Sequence, residues 1–189
     1  MANKKTTAIA IVDTTFSTVN MGAIAIDELK KSYPNIRFIR KTVPGFKDLA
    51  VECQRLLKNE KCDIAMALGM VGAAPIDSQC AHESGLGIQM AKMNANKHII
   101  EVFVHMKESE REDGSIDEQD LLALCEERTR KHVHNAVWMI TNPQKLVERA
   151  GTGRRQGRED VGPAKREGRG NAGAARTGER PDAGLMRKR

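Results

Sequence analysis

At 189 residues the chain is the length of one domain and can bury an apolar core without disulfides or a structural metal. Its formal charge of +6 gathers at one end, because residues 151–189 hold 11 of the 31 basic and 5 of the 25 acidic residues and leave 20 of each in the rest, which argues against a nucleic-acid surface on the body of the protein. Cys53, Cys62, Cys80 and Cys125 show no CxxC spacing and no clustered histidines, so reduced thiols are expected rather than a zinc site.

The apolar stretch near Met1 is too short for a signal-peptide core or a membrane span, and a cytoplasmic protein is expected. Four β-branched, apolar runs follow, Thr6–Val12, Ile36–Val43, Asp63–Leu68 and His98–His105, each separated from the next by a helical pattern. That alternation predicts an α/β fold with a parallel sheet covered by helices. Val19, Ala23, Ile26 and Leu29 mark the first helix, closed by Lys30, Lys31 and Pro34; Leu49, Cys53, Leu56 and Leu57 mark the second; a Gly-, Ala- and Met-rich segment from Cys80 to Asn94 forms the third. After the fourth strand a charged stretch leads into a long amphipathic helix through Leu121, Cys125, Val133, Val137 and Ile140, which Asn142-Pro143 ends. A short helix is expected over residues 144–150. From about Lys165 the chain is rich in Gly and Arg with almost no large apolar side chain, and disorder is expected over residues 165–189, leaving a catalytic domain of residues 1–164.

In a twisted open parallel sheet, ligands sit beyond the carboxyl ends of the strands. The loops to inspect are Asp13–Phe16, Val43–Asp48, Gly69–Pro75 and the segment around His105. The second, TVPGFKDLAVEC, resembles a lumazine synthase signature, and the third, ALGMVG, is similar to that family's next loop, although it is about two residues shorter and lacks the histidine used there in phosphate elimination. ERAGT at residues 148–152 is a third point of similarity. Taken with DTTF, CDIAMALGM, CAHE, NKHIIEVFVH and RAGTGRRQGREDVGPA, these motifs make residues 6–164 resemble the archaeal-type riboflavin synthases, relatives of lumazine synthase.

The resemblance implies a three-layer α/β/α fold with four parallel strands in the order 2-1-3-4, a ring of five subunits with sites between them, and dismutation of two molecules of 6,7-dimethyl-8-ribityllumazine. It implies no organic cofactor and at most a weakly held Mg2+ or Mn2+. Phe16 is then a ring that stacks on the heterocycle, or else a staple onto the first helix. Asp48 accepts hydrogen bonds from ribityl hydroxyls, or only complements a helix N-terminus. Gly45, Phe46, Met70 and Val71 line the ring, and Arg149 faces the site. His82 and Glu83, at the start of the third helix, are candidates for proton transfer or a structural pair. Glu101 inside its apolar strand orients Arg149 or a base, or forms a structural ion pair. His105, at the loop end of that strand, is a candidate proton acceptor. His132 and His134 point apart at i, i+2 spacing, so they do not suggest a metal site. Two other functions stay open: lumazine synthase itself, which the shortened third loop disfavours, and a non-catalytic flavin or nucleic-acid binder, which the tail would suit.

Overall fold

The computed structural model describes residues 6–154 and 161–163; the expectation of a disordered 165–189 tail lies outside them. Four parallel strands, β1 (Ala8–Thr14), β2 (Arg37–Val43), β3 (Ile64–Val71) and β4 (Ile99–His105), alternate with α1 (Met21–Ser32), α2 (Phe46–Lys58), α3 (Pro75–Ala95) and α4 (Glu118–Thr141), and a single turn of helix, α5 (Gln144–Val147), follows. The sheet order is β2-β1-β3-β4, as expected.

Side-chain alternation along the strands builds two cores. Ile9 and Ile11 of β1, Ile64, Met66, Leu68 and Met70 of β3, and Val102 and Val104 of β4 pack under α1 and α4. Ala8, Ala10, Val12, Ala65, Ala67 and Val71 face α2 and α3 with Leu49, Cys53, Leu56, Leu57 and Ile88. The residues of β1 and β3 that meet α2 and α3 are mostly Ala, so these helices lie close to the sheet, whereas the α1/α4 layer is spaced by Ile, Met and Leu.

Several boundaries differ from the sequence reading. Strand β1 runs on to Thr14 because the buried Asp13 carboxylate is neutralised from β2: Arg40 bridges it, and Thr42, its register partner, donates at 2.7 Å. Strand β3 continues to Val71, and α3 begins at Pro75 rather than Cys80, since proline suits the first helical position. His82 and Glu83 therefore stand about two turns into α3, not at its start. In α1 the buried face is Met21, Gly22, Ala25, Glu28 and Leu29, and Ala23 is exposed. Glu28 is tolerated there because Ser32 (2.5 Å), Arg130 (3.1 Å) and His134 (3.2 Å) surround its carboxylate; although burial alone would raise its pKa, these partners hold it below the ordinary value. Residues 148–150 form a turn and not a continuation of α5.

Among the described residues no helix is long and apolar enough to cross a membrane. His132 and His134 take separate places on α4. His134 lies between the Tyr33 hydroxyl, 2.6 Å from its Nδ1, and Glu28, while the Nδ1 of His132 is buried without a hydrogen-bond partner.

Burial, seconded by Arg128 one turn away, pushes the pKa of His132 down to about 4. An unfolded imidazole titrates near 6.5, so this residue's contribution to stability is complete above about pH 6.5 and is lost as the pH falls from there towards 4. His132→Leu is expected to remove a pH-dependent loss of up to about 3 kcal/mol. Urea melts of parent and variant at pH 7.5 and 5.0 measure it, and equal pH slopes in the two proteins would rule it out.

Candidate functional site

The strand-to-helix loops at the carboxyl edge of the sheet are stitched to one another by hydrogen bonds. Thr15 N–H donates to the Val43 carbonyl (2.9 Å) and the Thr15 hydroxyl to the Pro44 carbonyl (3.2 Å), joining the first loop to the second. Ser17 Oγ accepts from the Met70 N–H (3.0 Å), and the Thr18 hydroxyl meets Met70 Sδ (3.3 Å), joining the first loop to the end of β3. Phe16, at the crest of this loop, is left with half its surface in solvent. It forms a wall of a hollow.

That hollow, about 390 Å³, is lined by Phe16, Pro44, Gly45, Phe46, Lys47, Asp48, Gly72, Asp77 and Cys80. Gly45 caps α2 in extended conformation, and a Cβ built on it would meet nothing within 4 Å, so the backbone there borders open space. Asp48 is exposed in the first turn of α2, where a carboxylate complements the helix dipole and keeps acceptor capacity for a hydroxylated ligand. The hollow therefore joins an aromatic face to a polar, acidic end, which suits a flat ring carrying an uncharged polyol.

Phe46 itself is largely buried. Its ring packs edge-on against Phe103 at 4.7 Å and 90°, over Gly69, where an added Cβ would come within 2.6 Å of the ring. Phe103 in turn lines a second groove, about 420 Å³, with Ser78, Ala81, His82, Gly85, Leu86, Gln89, Glu101 and His105. The two hollows thus flank α3. The groove brings His82 of α3 together with Glu101 and His105 of β4: β4 is an edge strand, its residues 101, 103 and 105 face the α3 side, and α3 covers them only in part.

Glu101 is bound by Lys92 (2.7 Å) and Gln89 (3.1 Å), the structural ion pair foreseen as one of its readings; it does not reach Arg149. Glu83 is likewise engaged, accepting from Lys47 at 2.5 Å and Gln79 at 3.1 Å. These bonds lower the Glu83 pKa and raise that of Lys47, but both groups are exposed and the pair contributes little to stability. His105 is fixed by the strand end, where Glu108 accepts its N–H at 3.1 Å and is itself clamped by Arg128 at 2.7 and 2.6 Å.

Three expected site residues fall elsewhere within one chain. The side chains of Met70 and Val71 point into the two cores, so they meet the loop region through their backbone. Arg149 lies on the opposite layer, its guanidinium 4.1 Å from the centre of the Trp138 ring. Asp77, Lys47 and Ser84 went unnoticed in the sequence. Asp77 had a readable signal, an acidic residue two positions after a helix-starting proline; Ser84 had none, because only the packed structure aims its hydroxyl at the Phe46 carbonyl, 2.7 Å away. Among the described residues no group of three or more His, Cys, Asp or Glu side chains is placed to hold a metal ion.

Residues 6–144 match the family model described as 6,7-dimethyl-8-ribityllumazine synthase. The chain is 46% identical over 153 residues to the riboflavin synthase of Methanothermobacter marburgensis, covering 81% of this chain and 96% of that one. It is 45% identical to the riboflavin synthase of Archaeoglobus fulgidus, with 81% and 95% covered, and 36% identical to that of Aeropyrum pernix over 154 residues, again 81% and 95%.

The buried tie between Ser84 and Phe46 holds α3 to the start of α2 and so fixes the wall between the two hollows. Ser84→Ala removes the buried hydrogen bond that joins α3 to the first turn of α2 and is expected to cost about 1 kcal/mol. Thermal or urea unfolding reads the loss; an unchanged midpoint would mean that this bond does not hold the two helices together.

Proposed function

The chain belongs to the riboflavin synthases of the 6,7-dimethyl-8-ribityllumazine synthase family, and from that membership we infer its reaction and the surfaces that carry it. It is a riboflavin synthase: two molecules of 6,7-dimethyl-8-ribityllumazine exchange a four-carbon unit, giving riboflavin and 5-amino-6-(D-ribitylamino)uracil in the last step of riboflavin formation. The observation that carries this reading is the extent of the match, nearly the whole length of relatives that bear the name.

The C7 methyl of the substrate is acidic because its carbanion spreads into an electron-poor bicycle, so the main demand on the protein is to hold two rings face to face. In our reading Phe16 stacks on one ring, Gly45 and the backbone of Met70 and Val71 border its edge, Phe46 fixes the floor, and Asp48 accepts hydrogen bonds from the ribityl chain. His82 and His105, gathered with Glu101 in the second groove, supply the proton acceptor for the C7 methyl, a contribution of about 100-fold or more when well placed. Glu83 keeps Lys47 in position beside the first hollow. A Mg2+ or Mn2+ ion would meet no cluster of three ligands among the described residues, so any such ion is held through water and no step is routed through it.

The same reading makes the enzyme a ring of five, with the hollow at Phe16 on one copy facing the groove at His105 on the next and Arg149 reaching a neighbouring site. It is supported by α3, whose Leu86, Met90 and Met93 are each more than half exposed at the four-, three- and seven-residue spacings of a helix-packing seam. It also places the chain in the cytoplasm, a reading that the four free cysteines support.

Incubation with ribityllumazine alone is expected to yield riboflavin and ribitylaminouracil in equal amounts, with or without a chelator, and with no four-carbon phosphate supplied. Phe16→Ala and Asp48→Ala should each lower kcat/KM by about tenfold or more through lost stacking and lost ribityl anchoring. Unchanged substrate would overturn the reaction; variants equal to the parent would overturn the site.

The paired substitution Met90→Glu and Met93→Glu puts charge on the α3 seam and is expected to shift light scattering from a pentamer of 21 kDa subunits towards smaller species, with turnover falling in parallel. A parent protein that scatters as a monomer would remove the shared site.

A further inference from the structure

The loop that carries Phe16 is held at both of its ends by one guanidinium. It spans residues 15–20, between Thr14 at the end of β1 and Met21 at the start of α1. The Phe16 ring at its crest is half exposed, so the place of that ring is set chiefly by how the backbone beneath it is held. Asp13 lies just before the loop, and Asn20 closes it as the N-cap of α1. Arg40 of β2 reaches both: its Nε donates to Asp13 Oδ1 at 3.3 Å, and one terminal nitrogen donates to Asp13 Oδ2 and, at 2.7 Å, to Asn20 Oδ1. The same Asn20 oxygen accepts from the Ala23 N–H at 3.0 Å, so the cap of the helix and the bracket around the loop share an atom.

Gly22 shows that the first turn of α1 is shaped around this bracket. A Cβ added there would meet the Asp13 carboxylate and would come within 2.6 Å of Arg40 Nε and 2.7 Å of its Cζ. Gly22 is buried in a regular helix, where alanine would otherwise be favoured, and its φ lies outside the left-handed region, so the requirement is one of space. Asp13 is in turn fixed by Thr42 at 2.7 Å, and through it both ends of the loop are tied to the sheet.

We propose that Arg40 is a positioning residue for substrate binding: by bridging Asp13 to Asn20 it fixes the loop between β1 and α1, and with it the angle at which the Phe16 ring meets the heterocycle. The inference rests on the assignment of the Phe16 hollow to ribityllumazine. A guanidinium suits the task because its planar fork presents several N–H groups at once, to the carboxylate and to the amide oxygen, whereas an ammonium is a point donor on a flexible stem. A loosened loop weakens the stack and leaves the groups near the C7 methyl in place, so the loss falls mainly on KM.

The test is steady-state turnover of ribityllumazine by the full-length chain carrying Arg40→Lys, Asn20→Ser, Gly22→Ala, Phe16→Ala, or Phe16→Ala with Asn20→Ser, thermal unfolding confirming that each is folded. Asn20→Ser keeps a good cap for α1, withdraws the acceptor from Arg40 and leaves the buried Asp13–Arg40 pair in place, so it stays informative where an Arg40 variant fails to fold. Arg40→Lys, Asn20→Ser and Gly22→Ala are each expected to raise KM about threefold or more with kcat nearly unchanged, and Asn20→Ser should add nothing further in the Phe16→Ala background. Asn20→Asp, which restores an acceptor for the guanidinium, should lie closer to the parent than Asn20→Ser. Parental KM in the folded Arg40→Lys and Asn20→Ser variants, beside a raised KM in Phe16→Ala, would overturn the role of Arg40 alone, as would losses that multiply with that of Phe16→Ala. If Phe16→Ala itself kept the parental KM, the assignment of the hollow would fall and the positioning role with it.

Discussion

Burial of β1 and β3 on both faces is the constraint from which the rest of the molecule follows. A strand with no solvent face must be apolar at nearly every position, and these two are. Their hydrogen bonds are satisfied only by parallel neighbours, their connections must pass over the layers as helices, and every polar group needed for chemistry is driven to the loops at their carboxyl ends. Asp13 shows the limit of the rule: a carboxylate enters the end of β1 only because β2 places Arg40 and Thr42 on it, which in turn shapes the loop that carries Phe16.

The edge position of β4 has the opposite effect. Its outer residues on the α3 side, Glu101, Phe103 and His105, are only partly covered, and so a strand that pattern alone would assign to the core carries charge and an imidazole. The same incomplete cover leaves a groove beside α3 and an apolar seam on α3 itself. A fold that buries its centre this thoroughly leaves its incompletely packed surfaces concentrated on one flank, next to the loops, and a second copy of the chain is the natural cover under the functional reading.

The strands and their order were legible because β-branched runs alternating with helical stripes admit few arrangements. The motif loops were legible as well, since Pro-Gly and Gly-rich turns stand out after apolar runs. What sequence could not give was the direction of individual side chains at strand ends: Met70 and Val71 belong to a loop by position but to the core by alternation. Nor could it show which charges were already spoken for. Glu83 reads as a candidate for proton transfer and Glu101 as a group orienting Arg149 or a base, alongside an ion-pair reading of each, and only the packed structure puts Lys47 and Lys92 on them; Glu28 breaks the periodicity of α1 because its partners, Arg130 and His134, come from a helix a hundred residues away. Arg149 carries a family motif, yet its position on Trp138 follows from the turn after α5 and is not written in any local pattern.

The polar chain across the α1/α4 layer carries a spectroscopic consequence. The protein has one tryptophan and one tyrosine, and both stand in it: the Tyr33 hydroxyl bonds His134, whose ring lies against Trp138 at 5.6 Å, with Arg149 on that indole. Nearly all intrinsic ultraviolet emission therefore originates on the layer opposite the Phe16 hollow. An imidazole and a guanidinium in contact with the indole make its quantum yield a gauge of how α1 and the chain after α5 seat on α4. Within one copy the indole does not line the Phe16 hollow, so a chromophore bound there registers on the tryptophan of its own chain through energy transfer across the sheet, a signal distinct from the quenching that reports seating.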